Sequence, residues 1–299
     1  MSLDEHWSFE ELHAAVSLAA AWVHDLGIAT RARSRLDVLL DELGRLAAAT
    51  EAGTVAGGRS ELFTLVEGAD LRRIHQAFRG NETKGVVDRL RRVVEGPSAG
   101  EMETPRNATS RNFLAELSVA AMFELNGIAV DLEHRPDAII SLPLLGTAER
   151  VALTLEVKRP HHLGTLRKRL RDGVRQVRWA VEHGVDDPTA NVVGGILVVV
   201  MDHLIPPLFA RPFPESHMIR DAMKLKLKLW VEEHQQILGE SMQPQIAGVM
   251  LHWRPIAMLE TRPGVHSPVE CRQNHFEVGT PQQVYIAAIA KNIVEALRP

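Results

Sequence analysis

The chain has 299 residues, of which 45% are hydrophobic and 24% are charged, and its formal net charge is −4. This composition is typical of a soluble globular protein. The negative charge argues against a protein that coats nucleic acid non-specifically, but it does not exclude a protein with a local basic groove. The single cysteine, Cys271, excludes an intrachain disulfide and a cysteine-rich zinc site. With no apolar run of about 18 residues and no signal peptide at the N-terminus, we expect a cytoplasmic protein that does not bind membranes.

The N-terminal third of the chain has the pattern of a helical bundle. Apolar residues such as Leu12, Val16, Ala19 and Val23 recur at the spacing of one buried helix face. Four helices are predicted in this part, at 9–26, 32–49, 60–78 and 82–95.

A stretch rich in glycine and proline follows the four helices, at 96–107, and it predicts a domain boundary. We therefore expect an all-α N-terminal domain at residues 1–100, which could sense a partner or mediate dimerisation. A second domain is expected at residues 109–299.

The second part of the chain alternates helices and strands. We expect a helix, three strands, a helix, a strand, an inserted helix, a further strand and a final helix. These elements are predicted at 109–126, 128–132, 137–142, 151–158, 164–183, 192–201, 217–238, 246–253 and 281–297, with a proline-rich loop at 203–216. The uninterrupted apolar run at 192–201 indicates a central strand that is covered on both faces.

Three chemically reactive side chains fall at the ends of two neighbouring strands. Glu156 and Lys158 are two residues apart on one strand, so they leave the same face, and Asp137 begins the preceding strand and can face them. Carboxylates that cluster repel one another, so without a metal one of them is expected to keep its proton. Asp137, Glu156 and the backbone carbonyl of Val157 could supply part of the oxygen shell that Mg²⁺ prefers. Lys158 could position a water molecule or neutralise charge, and the sequence leaves its protonation state open.

This order of elements, with these residues, resembles the PD-(D/E)xK (restriction endonuclease-like) nuclease superfamily, whose core is an αβββαβ unit. Pro136-Asp137 matches the first half of the family motif and Glu156-Val157-Lys158 the second. The resemblance covers roughly residues 109–200. It implies an α/β fold with a restriction endonuclease-like core and a mixed central sheet, preceded by the all-α domain. No subfamily is assigned, because Ala180 stands where some exonuclease-like members have a tyrosine.

The resemblance also implies an activity and further site residues. It implies a nuclease that uses Mg²⁺, or Mn²⁺ as a substitute, to hydrolyse phosphodiester bonds in prokaryotic defence or DNA processing. Glu116 lies where many members carry an additional metal-directed acid, and Gln176 where several keep a glutamine or lysine near the site. DNA is expected as the substrate ahead of RNA, while endonuclease or exonuclease action and sequence specificity stay open. A homodimer would supply two active sites for paired cuts, and the N-terminal helices could bind a regulatory partner.

A cluster of basic residues follows the motif. Between 159 and 178 a single acid, Asp172, is set against seven basic residues, namely Arg159, Arg167, Lys168, Arg169, Arg171, Arg175 and Arg178. Such a cluster beside a metal site is typical of phosphate binding to nucleic acid. The alternative is a solvated basic helix face that pairs with the acidic N-terminal region.

Two other functions remain open at the level of sequence. One is a catalytically inactive protein of the same fold that binds nucleic acid or a protein partner, in which the motif side chains would point apart or into salt bridges. The other is an unrelated α/β enzyme for small molecules, which would need a closed apolar pocket. Motifs for phosphate-binding loops, dinucleotide binding, serine hydrolysis and zinc proteases are absent from the sequence.

Overall fold

Seven helices and nine strands make up most of the described chain. The computed structural model describes residues 5–30, 33–51, 59–96, 109–133, 137–143, 150–184, 192–205, 213–262, 265–270, 273–278 and Ile293. The helices are α1 (Phe9–Asp25), α2 (Arg35–Glu51), α3 (Arg59–Phe78), α4 (Lys84–Val94), α5 (Thr109–Leu125), α6 (Leu163–His183) and α7 (Ser216–Gly239). The strands are β1 (Glu5–His6), β2 (Val130–Asp131), β3 (Ala138–Pro143), β4 (Arg150–Lys158), β5 (Val192–Val200), β6 (Ile246–Trp253), β7 (Ile256–Arg262), β8 (Val265–Glu270) and β9 (Gln273–Val278). Within the described ranges, no helix is both long enough and apolar enough to span a bilayer.

Six of the strands form one open, mixed sheet in the order β2-β3-β4-β5-β6-β9. Strand β3 runs antiparallel to β2 and β4, whereas β5 runs parallel to both β4 and β6, and β9 closes the far edge antiparallel to β6. A second, three-stranded antiparallel sheet has the order β1-β8-β7. A mixed α/β fold with a mixed central sheet, as the sequence predicts, is thereby confirmed.

The central strand β5 is apolar on both faces because helices cover both. Ile196 and Val198 point into a core that also holds the apolar residues of α1 to α5. Leu197 and Val199 point into a second core that holds those of α6 and α7. Side chains alternate between the faces of a strand, so a strand between two helical layers must be apolar at every position. The sheet is therefore the middle layer of three.

The four N-terminal helices share a hydrophobic core with the central sheet. Helices α3 and α4 pack on α5, and buried residues of α1 to α4 belong to the same cluster as those of β3 and β4. In the second sheet, Glu5 of β1 pairs with Glu270 of β8, so residues near both ends of the described chain lie side by side. The predicted domain boundary at 96–107 falls almost wholly outside the described residues and stays a prediction.

Most of the predicted elements appear with ends shifted by a few residues, but one strand is much shorter. The strand predicted at 128–132 is reduced to two residues, because its first residue still belongs to the end of α5. The Ile128 amide donates to the Phe123 carbonyl at 3.0 Å, and side chains bind the backbone amides around the short strand that remains. The Glu124 carboxylate accepts from the Val130 amide at 2.6 Å, and the Asp131 carboxylate accepts from the Glu133 amide at 2.7 Å. The sequence pattern predicts no helix or strand in residues 254–280, but the structure has the three strands β7, β8 and β9 there. The predicted final helix at 281–297 is outside the described residues except for Ile293, which is buried.

Two glycines allow α6 to lie close against β4 and β5. A Cβ atom at Gly195 of β5 would lie 2.3 Å from Thr154 Oγ1 and 2.7 Å from Val177 Cγ2. A Cβ atom at Gly173 of α6 would lie 2.9 Å from Leu197 Cδ2 of β5 and 3.3 Å from Lys158 Cε. Because a side chain at either position would collide with Thr154, Val177 or Leu197, the two glycines let α6 lie directly beside the end of β4 that carries the motif.

Candidate active site

A cavity of about 780 Å³ lies beside the end of β4, between α5 and α6. Its wall includes residues from both helices, from the loop before β3 and from β4. All five residues predicted to be catalytic line this one cavity, namely Glu116, Asp137, Glu156, Lys158 and Gln176. The cavity is open and lined mainly by polar and charged side chains, unlike the closed apolar pocket that a small-molecule enzyme would need.

Lys158 lies between the two carboxylates of the motif. Its Nζ donates to Glu156 Oε2 at 2.6 Å and to Asp137 Oδ2 at 3.2 Å. The same Asp137 oxygen accepts from the backbone amide of Val157 at 2.9 Å, which ties the loop before β3 to β4. Val157 also lines the cavity, and a role of its carbonyl as a metal ligand stays a prediction. The side chain of Glu156 is fully buried, whereas those of Lys158 and Asp137 are 10% and 20% exposed.

The clustered acids shift one another's protonation. Burial, reinforced by the negative charge of Asp137, raises the pKa of Glu156 to about 8 although Lys158 acts in the opposite direction. Burial and Asp137 likewise raise the pKa of Glu116 to about 8, against Arg89 and Lys158. Three carboxyl groups thus face two cations, and a proton stays on the cluster at neutral pH, as the sequence predicts for carboxylates without a metal.

The protonation state of Lys158, which the sequence leaves open, follows from the same contacts. Burial by itself lowers the pKa of Lys158, but the carboxylates of Asp137 and Glu156 outweigh burial and raise this pKa above its ordinary value. Lys158 is therefore an ammonium ion at neutral pH. In this form it donates hydrogen bonds and carries positive charge, and it does not act as a proton acceptor.

Arg89 of α4 is a site residue that sequence reasoning missed. Its Nε donates to Glu116 Oε2 at 3.2 Å, and its two terminal nitrogens donate to the backbone carbonyls of Leu132 and Asp137. One guanidinium group therefore holds both the acid from α5 and the loop that carries Asp137. No sequence signal distinguishes Arg89 from its helix neighbours Arg91 and Arg92, because these three partners lie 27, 43 and 48 positions further along the chain.

Asn112 is a second missed residue, and it bears on metal binding. It lies one turn before Glu116 on α5 and lines the cavity. This spacing of four residues, which places both side chains on one helix face, is the one feature of the sequence that could have indicated Asn112. Asn112 Oδ1 and Glu156 Oε1 are buried oxygen atoms for which the described residues offer no hydrogen-bond donor. Oxygen atoms of this kind suit a hard cation, because a buried acceptor without a partner is costly.

The oxygen atoms that line the cavity are suited to a metal ion that keeps part of its water shell, rather than to one that is fully coordinated by protein. Among the described residues, no group of three or more His, Cys, Asp or Glu side chains has an arrangement that could hold a metal ion by itself. Mg²⁺ usually takes one or two protein carboxylates and keeps several waters, so it needs no such cage. The residues present therefore fit an ion of this kind, and they do not fit a fully protein-coordinated structural metal.

The predicted basic cluster is divided between two flanks of α6. Arg169, Arg175 and Gln176 line the cavity, and Arg175 forms an ion pair with Asp172. Lys168 and Arg178 are exposed on the same helix.

Of the remaining three basic residues, two pair with an acid at the end of α7, and the third is buried in the cavity wall. Arg167 and Arg171 reach Glu240 at the end of α7, with nitrogen–oxygen distances of 2.9 and 3.7 Å. Arg159 is buried and lies 2.6 Å from His203 Nε2. The structure thus brings three of the seven basic side chains to the cavity, Arg169 and Arg175 as exposed groups and Arg159 as a buried one. Nucleic-acid binding by the whole cluster stays a prediction.

Comparison of the chain with protein-family models gives no match, and comparison with curated proteins gives none. The resemblance to the PD-(D/E)xK nucleases therefore rests on the motif residues and on their arrangement in the fold.

Proposed function

We propose that this protein is a divalent-metal-dependent nuclease of the PD-(D/E)xK type, in which α5, β2, β3, β4, α6 and β5 form the restriction endonuclease-like core. The observation that carries this proposal is the convergence of Asp137, Glu156 and Lys158 in one cavity, with Glu116 on α5 and Gln176 on α6. Neighbouring strands supply the motif residues, and the two helices on either side supply the others. The order of elements along the chain agrees with the αβββαβ core of that superfamily.

Each residue has a role that follows from its chemistry. Asp137, Glu156 and the Val157 carbonyl would hold a Mg²⁺ or Mn²⁺ ion, with Glu116 reaching it through one of the waters that such an ion keeps. When bound, the ion makes a water more acidic and stabilises negative charge on phosphate. The Lys158 ammonium, held in the cavity by two carboxylates, would donate to a phosphate oxygen as its negative charge grows. Gln176 is exposed at the cavity wall, where its amide can donate to phosphate or orient a water. Hydrolysis forms a bond between the water oxygen and phosphorus and breaks the bond from phosphorus to the leaving oxygen.

A catalytically inactive protein of the same fold is the second candidate, and one observation favours it. Lys158 forms salt bridges with both Asp137 and Glu156, which is the arrangement expected when these carboxylates serve the fold. Binding of a divalent cation would require the ammonium to release at least one of them. In this case the protein would bind nucleic acid or a protein partner without cleaving it.

A cleavage assay separates the two candidates. Single-stranded and double-stranded DNA and RNA would be incubated with the protein in Mg²⁺, in Mn²⁺ and in EDTA. We expect metal-dependent cleavage by the wild type and a loss of about 100- to 1,000-fold in Lys158→Ala, the effect typical of removing one donor to a developing negative charge. Lys228→Ala, which changes an exposed lysine of α7, is the matched control. Undiminished cleavage by Lys158→Ala would overturn the assigned site, and a wild type that cuts none of the substrates would favour the inactive protein.

Replacing Arg89 by methionine is expected to weaken Mn²⁺ binding about 10- to 100-fold, the usual effect of removing a group that orients metal ligands. Methionine is of similar length but cannot donate to Glu116 or to the carbonyl of Asp137. Titration calorimetry with Mn²⁺ measures the effect, and Arg89→Lys should be intermediate because lysine lacks the planar fork of donors. Arg91→Met, on the exposed face of the same helix, is the control. If Arg89→Met binds Mn²⁺ as the wild type does, Arg89 does not position the ligands.

A further inference from the structure

The wall of the cavity contains a half-exposed tryptophan. Trp179 of α6 is 53% exposed, whereas the other four tryptophans of the chain, Trp7, Trp22, Trp230 and Trp253, are at most 8% exposed. Tryptophan is enriched where proteins bind partners, because its ring offers a large apolar face, so an exposed tryptophan in the wall of a cavity is a candidate binding residue.

The ring of Trp179 is held in place by the residue one turn later. The imidazole of His183 stacks on the indole with a centroid distance of 5.1 Å and an angle of 13° between the ring planes. His183 Nδ1 also lies 3.0 Å from the Trp179 carbonyl oxygen, which fixes the position of the imidazole on the helix. The indole is thus supported by one flat neighbour and still exposes more than half of its surface. A supported and exposed ring is well suited to accept a second flat group.

The surroundings of Trp179 indicate what that flat group is. Arg175 and Gln176 lie one turn before it on the same flank of α6, and Arg169 lies on the same cavity wall. These side chains offer hydrogen-bond donors and positive charge, which suit phosphate oxygens. Positive groups that alternate with an aromatic ring are the arrangement by which proteins bind single strands, with bases stacked and phosphates paired. The core of a protein–protein interface is depleted of charged residues, whereas Trp179 shares its cavity wall with Arg169, Asp172 and Arg175.

We propose that Trp179 is a stacking platform for an unpaired nucleobase, so that the cavity binds single-stranded nucleic acid or the unpaired end of a strand. The stacked base lies on the α6 wall, and the adjoining phosphates extend past Arg175 and Gln176 towards Asp137, Glu156 and Lys158. A base inside a duplex is covered on both faces by its neighbours, so it offers no face to Trp179 unless it is first extruded. A preference for single strands as the substrate of cleavage rests on the proposed nuclease function, whereas the binding of single strands at Trp179 does not.

A binding experiment with paired oligonucleotides tests this inference. Fluorescein-labelled thymidine 12-mer, an abasic 12-mer with the same phosphates, and a blunt 12-base-pair duplex would be titrated in Ca²⁺, and gels of the same samples would confirm that the strands stay intact. We expect the thymidine strand to bind more tightly than the other two. Trp179→Ala should weaken binding of the thymidine strand roughly 5- to 150-fold, as the loss of one stacked base does, and should leave binding of the abasic strand unchanged.

Two further variants and one spectroscopic signal sharpen the test. Trp179→Phe keeps an aromatic face and should retain most of the affinity, while Leu229→Ala, which removes an exposed apolar side chain of α7, should bind as the wild type does. Because the other tryptophans are buried, the thymidine strand should quench the intrinsic fluorescence of the wild type, and this quenching should disappear in Trp179→Phe. The salt dependence of binding to the thymidine strand should be equal for the wild type and Trp179→Ala, because both proteins make the same phosphate contacts.

The outcomes separate this inference from the proposed function. Equal binding of thymidine and abasic strands by the wild type, unchanged binding by Trp179→Ala, or tighter binding of the duplex would overturn the stacking platform, whatever the cleavage assay gives. An equal loss of affinity for the thymidine and abasic strands in Trp179→Ala would also overturn it, because such a loss shows that Trp179 has a structural role. Base-dependent binding by a wild type that cuts no substrate would support the platform and contradict the nuclease.

Discussion

Replacing Glu156 by glutamine is expected to lower metal-dependent cleavage about 100- to 1,000-fold, because a lost metal ligand forfeits several kcal/mol of charge stabilisation in the transition state. Glutamine has the size of glutamate, and its carbonyl oxygen can still accept from Lys158, as Glu156 Oε2 does at 2.6 Å. It removes the negative charge that a divalent cation needs. Asp137 still neutralises Lys158 at 3.2 Å, so the fold should survive the change.

The stability of this variant distinguishes a functional carboxylate from a structural one. Since burial raises the pKa of Glu156 to about 8, its charged form is unfavourable in the folded protein without metal. The midpoint of thermal unfolding without metal should therefore stay near that of the wild type, while the rise in midpoint on adding Mn²⁺ should be lost.

Thr154→Val is the matched control for this prediction, because Thr154 lies on the same face of β4 two residues earlier and is equally buried. Its hydroxyl has no hydrogen-bond partner among the described residues, and valine has nearly the same shape. We expect this variant to cleave and to bind Mn²⁺ as the wild type does. Wild-type cleavage by Glu156→Gln would show that the chemistry does not use this carboxylate.

Replacing Asp70 by asparagine is expected to lower the free energy of unfolding by about 3–5 kcal/mol, the cost of breaking a buried charge pair. The Asp70 carboxylate accepts from Arg254 and from Ser118 Oγ at 2.7 Å, and it lies 3.4 Å from Arg73 Nη2. These four side chains are at most 3% exposed. The change leaves two buried guanidinium groups with less negative charge around them. Equilibrium unfolding in urea measures the loss, which is large beside the usual total stability of a domain.

The second effect of this change concerns the assembly of the layers. Asp70 lies on α3, Ser118 on α5 and Arg254 at the end of β6, so the network joins the N-terminal helices to the central sheet. Asp88→Asn is the control, because Asp88 pairs with Arg91 on the surface of α4 with both side chains 49% exposed, and such pairs contribute less than about 1 kcal/mol. Equal losses of stability in the two variants would show that the buried network contributes no more than a surface pair.

The elements that the sequence predicts best are those with a complete local pattern. The strand at 192–201 is apolar at nearly every position, and the structure covers it on both faces. The strand at 128–132 has an equally apolar start, but the Ile128 amide donates to the Phe123 carbonyl at the end of α5, and the strand comprises Val130 and Asp131 alone. Strands β7 to β9 do not alternate clearly between apolar and polar residues, so the sequence does not indicate them. They are strands because β7 pairs with β8 and β9 pairs with β6. Strand formation depends on contacts that are distant in sequence, and local patterns do not record them.

The candidate site divides in the same way. That Glu156 and Lys158 leave one face of a strand, and that Asp137 lies opposite them, follows from the period of two and from a hairpin between adjacent strands, so the sequence by itself determined this triangle. The charge on Lys158 was decided by the tertiary structure, because its pKa depends on the balance between burial and two nearby carboxylates.

The residues around this triangle also depended on the tertiary structure. Arg89 reaches the carbonyl of Asp137 from a helix 48 positions earlier, and Trp179 joins the cavity because of the rotation of α6 on the sheet. Which flank of α6 faces the cavity is set by its packing at Gly173 and Gly195, and that packing also turns Arg167 towards α7. Local periodicity fixes which side chains share a face of an element, whereas only the packing of elements against one another decides what that face meets.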